Sequence, residues 1–153
     1  MADISKKTLR AWRRLDISHS KISARIEQAL KSAGLPPLLW LRALEECERR
    51  DGEGLRPFEL QRALDLEQSA VSRLLDKMAA AGAVERSECA QDRRGWRATA
   101  TAQGRRMREN MAETYEQALA THFLAAISDK KARALDEILG ELNEAGGLKT
   151  RHA

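Results

Sequence analysis

The chain has 153 residues, of which 42% are hydrophobic and 33% are charged, a balance that suits one domain or two closely joined lobes and excludes a disordered chain. Its 27 basic and 23 acidic residues leave a net charge of only +4, so the placement of charge matters more than its total. Segment 84–108 alone holds seven arginines and three acidic residues. Its net charge of +4 equals that of the whole chain. This local excess indicates an anionic partner, although charge alone is equally consistent with a solvated surface.

Cysteine and histidine usage argues against a disulfide scaffold and against a metal site. Cys47 and Cys89 form no C-x-x-C pair, and no apolar run is long enough for a signal peptide or a membrane span, so we expect a cytoplasmic protein with reduced thiols and no membrane association. The three histidines have no carboxylate or cysteine at ligand spacing, so no metal or other cofactor is predicted. No phosphate-binding glycine loop or nucleophile motif occurs, and the sequence therefore does not predict an enzyme.

The first two predicted helices each carry an apolar stripe. The first stripe recurs at three- and four-residue steps and predicts a long helix that ends before Gly34: Leu9, Trp12, Leu15, His19, Ile22, Ile26 and Leu30. A second helix follows Pro36 and Pro37 and stops at 51–54. Cys47 falls on its buried side, which favours an inert packed thiol over a redox sensor.

The next two helices are predicted to form a helix-turn-helix. Pro57 suits the first turn of a short helix, and Asp65 tolerates the left-handed backbone of a tight turn. A second helix begins near Gln68, with one apolar face, and stops at Gly82. Its other face carries small and polar side chains, which allow close approach to DNA and can pair with base edges.

A β-hairpin is predicted beside this motif. Residues 83–86 indicate a strand that leaves the helix, and the alternation from Trp96 to Thr101 indicates a returning strand, with residues 92–95 at the tip of the loop between them. We expect the arginines of this wing to serve a partner outside the protein, since arginine can enter a narrow minor groove.

The C-terminal part is predicted to be helical. One helix should run from Thr101 for roughly 25 residues to 128–129, and a last helix should end at 146–147. Because the DNA-binding lobe leaves little core for the terminal helices to cover, we expect them to pack on each other and on a second copy. A monomer with a self-contained helical bundle is the alternative.

The run "LRPFELQRALDLEQSAVSRLLDKMAAAGAVERSECAQDRRGWRATATAQGRR", residues 55–106, resembles the DNA-binding lobe of the multiple antibiotic resistance regulator (MarR) family. The family's Asp-x-Arg wing matches Asp92 and Arg94, and its Thr-x-x-Gly helix start matches Thr101 and Gly104. The resemblance implies a mostly α fold with a small β-hairpin, in which a winged helix-turn-helix lobe joins a helical dimerisation lobe. It also implies a homodimeric transcriptional regulator, usually a repressor that a small ligand or thiol oxidation releases.

These inferences place the regions and sites as follows. We expect a winged helix-turn-helix DNA-binding region at 36–101 and a helical dimerisation region at 1–34 and 102–147 of one intertwined chain. The expected contacts to double-stranded DNA are Gln68, Ser69, Ser72, Arg73, Lys77, Asp92, Arg93 and Arg94. A small aromatic or phenolic effector is expected to bind near Trp12, His19 and Trp40, although core packing is the commoner role for such residues.

Some alternatives remain open at this stage. A helical protein–protein adaptor without DNA-binding activity would explain the apolar stripes but not the arginine-rich hairpin. The returning strand has Ala98 and Ala100 where the family commonly has large aliphatic residues, so the wing is either more mobile or packed by Trp96. Cys89 is interpreted as a small strand-end residue in preference to a redox sensor.

Overall fold

The computed structural model describes residues 4–49, 53–89 and 92–145, with the backbone alone for residues 89 and 92–94. These residues form helices and one antiparallel hairpin, in the order α1 Lys6–Ser32, α2 Leu38–Glu48, α3 Pro57–Leu64, α4 Gln68–Ala80, β1 Val84–Cys89, β2 Asp92–Ala100, α5 Ala102–His122 and α6 Asp129–Ala145. The predicted helix stops at 51–52 and 146–147, together with His152, lie outside the described residues. The fold class is as predicted from the sequence.

Local chemistry explains four of the helix boundaries. Ser5 caps α1 by accepting a hydrogen bond from the Thr8 amide at 3.1 Å. Pro57 occupies the first turn of α3, where its missing amide hydrogen leaves no helical bond unmade. Asp65 adopts the predicted left-handed conformation with φ 51°, and Gly82 stops the chain after α4 with φ +70°.

Two predicted boundaries were wrong. Helix α5 ends at His122, and a short 3-10 helix at Leu124–Ala126 follows, because the backbone changes there from i+4 to i+3 hydrogen bonds while the apolar spacing continues. Strand β2 begins at Asp92, so the four residues predicted as a loop tip belong to the strand. They lie at a register shift between Glu88 and Cys89, beyond a regular ladder from Val84↔Ala100 to Glu88↔Trp96.

The core is divided into two clusters. One fills the winged lobe and holds fully buried side chains of α2, α3 and α4 together with the inner hairpin: Leu44, Leu60, Leu75, Met78, Val84 and Ala98. The other joins the C-terminal part of α1 to α2 and α5 through Ile26, Leu30, Leu41, Met111 and Ala118. Trp40 packs against both clusters, so α2 connects the two lobes.

Large apolar side chains remain outside these clusters at the two ends of the chain. The N-terminal half of α1 exposes Leu9, Trp12 and Ile17, and only Ile26 and Leu30 of this helix are buried. Helix α6 has no buried residue, and Ile138 and Leu142 are each more than half exposed. These two apolar faces have no cover within the described part of the chain.

Candidate nucleic-acid interface

Helix α4 separates its apolar and polar residues cleanly. Val71, Leu74, Leu75 and Met78 are buried against the winged lobe. The predicted DNA contacts of this helix are all exposed and lie on its other side: Gln68, Ser69, Ser72, Arg73 and Lys77. The structure therefore brings these five side chains together on one surface.

The N-terminus of α4 carries free hydrogen-bonding capacity. Glu67 precedes the helix with extended backbone angles, and its side chain makes no capping hydrogen bond. The amides of Ala70 and Val71 already bond to the Glu67 carbonyl at 3.0 and 3.1 Å. The first amides of the helix can thus face an anion, and the helix dipole favours a phosphate there.

The hairpin is fixed to the lobe by a strand contact that the sequence did not predict. Leu55 and Ala98 exchange two backbone hydrogen bonds, at 2.8 and 2.9 Å, so the chain before α3 adds a one-residue third strand. Gly54 makes this approach possible, since it has φ +73° and an added Cβ would lie 2.5 Å from the Thr99 hydroxyl. The small Ala98 and Ala100 are both buried.

A polar cluster joins the outer hairpin to α4. The Arg86 guanidinium on β1 forms an ion pair with the Asp76 carboxylate on α4. The same guanidinium lies 4.3 Å from the centre of the Trp96 ring on β2, which is cation–π distance. Trp96 itself is partly buried and packs against the core of the winged lobe, so the side chain of Trp96 contributes to packing the wing.

The arginines of segment 84–108 therefore do not all serve an external partner, and that expectation needs correction. Besides Arg86, three of them have intramolecular partners, because the long guanidinium side chain reaches carbonyls and carboxylates of neighbouring elements. Arg97 donates to the Gly54 carbonyl at 3.0 Å, and Arg105 donates to the Ala100 carbonyl at 2.8 Å. Arg108 pairs with Glu48 at 2.9 Å. Arg93 and Arg94 belong to β2, with only their backbone described.

The predicted effector residues do not meet within one chain. Trp40 lies at the junction of the two core clusters, whereas Trp12 and His19 are exposed on the N-terminal half of α1. Trp12 precedes the buried Ile26 by fourteen residues, which is about 21 Å along a helix. His19 lies within hydrogen-bond distance of the Ser23 hydroxyl, at 3.4 Å.

The thiol of Cys47 is buried on the core side of α2. Burial raises the pKa of this thiol from 9.0 to about 12, with smaller contributions from the carboxylates of Glu46 and Glu48. The reactive thiolate is therefore scarce at neutral pH. Within the described ranges, no three His, Cys, Asp or Glu side chains cluster as metal ligands would, and no helix combines the length and apolarity that crossing a bilayer requires.

Comparison with known protein families gives one match, in the winged lobe. Residues 33–95 match the model of the MarR family. This match covers most of the winged lobe, from the end of α1 to the first residues of β2. No curated protein sequence matches the chain.

Solved structures show that the MarR-type fold extends over nearly the whole chain. AbsC, a MarR family transcriptional regulator from Streptomyces coelicolor, superposes with a TM-score of 0.85 at 22% identity, over 97% of this chain and 100% of AbsC. Sco3205 from the same organism, solved in complex with DNA, gives a TM-score of 0.85 at 20% identity, over 100% of this chain and 95% of its own. CouR from Rhodococcus jostii RHA1, solved with bound p-coumaroyl-CoA, gives a TM-score of 0.69 at 21% identity, over 84% of this chain and 87% of CouR.

The MarR-type Thr-x-x-Gly signature has a structural role here. The Thr101 hydroxyl accepts a hydrogen bond from the Gly104 amide at 3.0 Å and donates to the Gly82 carbonyl. A Cβ on Gly104 would overlap the carbonyl oxygen of Ala83. Together these contacts hold the start of α5 against the turn that follows α4.

Proposed function

We propose that this protein is a sequence-specific transcriptional regulator that binds double-stranded DNA as a homodimer and represses transcription until a small ligand releases it. The observation that carries the proposal is the exposed polar side of α4 beside a hairpin wing. The DNA complex of the similar Sco3205 supports the same use of the fold.

Helix α4 is the element that we assign to the major groove. Gln68 and Arg73 offer the two-point hydrogen bonding that base edges require, while Ser69 and Ser72 are short enough to allow close approach. Lys77, one turn beyond Arg73, is assigned to backbone phosphate. Sequence preference should therefore depend on Gln68 and Arg73 more than on Lys77.

The wing is assigned to the minor groove outside each half-site. In a symmetric dimer the half-sites form a pseudo-palindrome about 10 bp apart, and Arg94 enters the groove while Arg93 contacts phosphate. Asp92 would be repelled by phosphate, so it is assigned to orienting an arginine.

The two arginines can be distinguished by titrating Arg94→Ala and Arg93→Ala on operators with A·T-rich and G·C-rich flanks. Loss of the groove arginine should weaken binding most on A·T-rich flanks, where the groove is narrow. Loss of the phosphate contact should weaken all sequences alike and lower the salt slope by about one unit. Equal losses on both flanks for Arg94→Ala would show that the wing contacts only the DNA backbone.

The homodimer is supported by the uncovered apolar faces of α1 and α6. These faces are also opposite in charge: residues 6–17 of α1 carry five basic residues and one acidic residue, whereas residues 134–145 of α6 carry four acidic residues and no basic one. In a two-fold dimer, α1 of one copy can pack on α6 of the other, and the reverse contact forms at the same time. Each apolar face then packs on an apolar face whose neighbouring side chains carry the opposite charge.

The effector site is assigned to the lobe junction at Trp40. Within one chain, the length of α1 separates Trp12 and His19 from this junction. A second copy would therefore be needed to bring a Trp12 and a His19 near Trp40. The bound p-coumaroyl-CoA in the similar CouR favours aromatic carboxylates and their thioesters as the first compounds to screen. Release of operator DNA by a compound, and loss of that release in Trp40→Phe, would support the site.

The decisive experiment is selection from a random duplex pool with the purified protein, followed by titration of the selected duplex at several salt concentrations. A pseudo-palindromic consensus with salt-sensitive affinity is the expected result. Failure to enrich any duplex, together with salt-independent binding, would favour a protein–protein adaptor instead.

A further inference from the structure

We propose that Arg86 is a positioning residue that fixes the outer wing to the recognition helix α4 and thereby determines how strongly the flank of the operator is read. This inference rests on the proposed DNA-binding function. It assigns Arg86 a partner inside the protein, Asp76 on α4 and Trp96 on β2, instead of a contact to DNA.

The register of the hairpin places Arg86 for this role. Arg86 is opposite Ala98, and Trp96 is opposite Glu88, so Arg86 and Trp96 are diagonal neighbours on the same face of the hairpin. That face also carries Val84, Ala98 and Ala100, which are buried in the lobe. Arg86 is thus the first residue of β1 on this face that lies beyond the packed core.

Further out along the described part of the wing, Trp96 packs against the core of the winged lobe and Arg97 donates to the Gly54 carbonyl. A groove of about 400 Å³ opens between the outer hairpin and the starts of α3 and α4, lined by Phe58, Gln68, Gly95 and Trp96 among others. The hairpin register also shifts just after Glu88, which loosens the strand pairing further out. The Arg86 guanidinium spans the remaining distance by pairing with Asp76 and stacking on Trp96.

The geometry suits a positioning role better than a stability role. The side chains of Arg86 and Asp76 are 42% and 59% exposed, and ion pairs this exposed contribute little to the free energy of unfolding. The planar guanidinium can pair with a carboxylate and stack on a ring at once, which the lysine ammonium cannot do equally well. Arg94, the assigned groove residue, lies two residues from Trp96 in β2, so the orientation of Trp96 bears directly on it.

Substitution of Asp76 distinguishes a positioning role from a purely electrostatic one. It lies exposed on the DNA-facing helix, so a purely electrostatic account predicts that Asp76→Asn tightens binding to every duplex. The positioning account predicts instead that Asp76→Asn and Arg86→Lys each lower the ratio of affinities for A·T-flanked and G·C-flanked operators. We expect this ratio to fall about tenfold, or to near one where the wild-type ratio is smaller than that. Preferences within the half-site core should stay unchanged. The double variant should lose no more flank preference than either single variant, because both break the same unit.

The experiment measures affinities of the full-length protein for the selected operator with both flanks and with single-base core changes. Two exposed residues outside the cluster are the matched controls and should keep the flank preference: Glu116→Gln on α5 for the loss of one negative charge, and Arg42→Lys on α2 for the exchange of arginine for lysine. Unfolding midpoints check that each variant is folded. The indole N–H resonance of Trp96, identified by its loss in Trp96→Phe, should shift in Asp76→Asn and in Arg86→Lys.

The outcomes separate this inference from the proposed function. If the wild-type protein binds no duplex, the proposed function fails and the inference fails with it. If the wild-type protein prefers A·T-rich flanks and both variants retain that preference, or if Asp76→Asn only tightens binding uniformly, the positioning role is overturned while the DNA-binding function stands.

Discussion

Cys47 illustrates how burial determines the chemistry of one side chain. Its thiol is buried, and its pKa is raised from 9.0 to about 12. A raised pKa in the folded state means that the thiol contributes stability below pH 9, and that this contribution is lost as pH rises from 9 through 12. The advantage in free energy of unfolding that wild type has over Cys47→Ala should therefore shrink across that range.

The same burial predicts low reactivity. In Cys89→Ser protein, where Cys47 is the remaining thiol, a thiol-specific reagent at pH 8 should label the unfolded chain rapidly and the folded chain very slowly. Rapid labelling of the folded protein, or a difference in stability that stays constant from pH 9 to 12, would contradict the burial argument and reopen a redox role for Cys47.

Arg73 is the single residue on which we expect base preference to depend most. Arg73→Ala should cost about 1–3 kcal/mol on the selected operator and relax the preference at one base pair, because a guanidinium that bonds guanine at two points discriminates against other bases. Lys77→Ala is the comparison, since loss of a phosphate contact should weaken all sequences alike. Unchanged affinity of Arg73→Ala for every single-base variant would remove Arg73 from base reading.

At the scale of elements, the junction of α4 and α5 depends on the absence of one side chain. An alanine at Gly104 improves helix propensity but places a methyl group against the Ala83 carbonyl, and backbone on both sides limits relaxation. We expect Gly104→Ala to lower the free energy of unfolding by about 1–3 kcal/mol, the usual range for overpacking. Chemical denaturation measures this change.

Gly140 provides the matched control for that substitution. It lies within α6, and an added Cβ there meets nothing within 4 Å. Gly140→Ala should therefore raise stability by up to about 1 kcal/mol through helix propensity alone. Equal changes in stability for the two variants would show that Gly104 is not held tightly against Ala83.

The elements that the sequence predicted well are those whose signals are local. Repeated apolar spacing and the turn residues Asp65 and Gly82 located the helices around the helix-turn-helix, because each signal acts within a few residues. The Leu55↔Ala98 bridge escaped prediction because one residue has no periodicity. The partners of Arg86 and Arg97 escaped for a different reason: Asp76 and Gly54 lie 10 and 43 residues away in sequence, and composition assigns such arginines to solvent or DNA.

At the scale of the whole molecule, the uncovered faces of α1 and α6 make dimerisation a question of which helices meet. If α1 packs on α6 of a second copy, the cations near Trp12 face the acidic second half of α6, and this attraction weakens as salt rises. If like helices meet instead, α1 with α1 and α6 with α6, the same charges repel and salt strengthens the dimer. The salt dependence of the dimer therefore distinguishes the two arrangements.

Charge reversal tests the arrangement directly. Arg10→Glu/Arg13→Glu on α1 should weaken the dimer, and adding Glu137→Lys/Glu141→Lys on α6 should restore it, because opposite signs again face each other across the two-fold axis. Sedimentation equilibrium measures the dimer dissociation constant, with Arg42→Glu as a control for reversed charge outside both faces. Dimers that are strengthened by the first pair of substitutions alone, or that the second pair fails to restore, would exclude the α1–α6 contact. Operator affinity should follow the dimer constant through the series, since two recognition helices reach two half-sites only when both copies are joined.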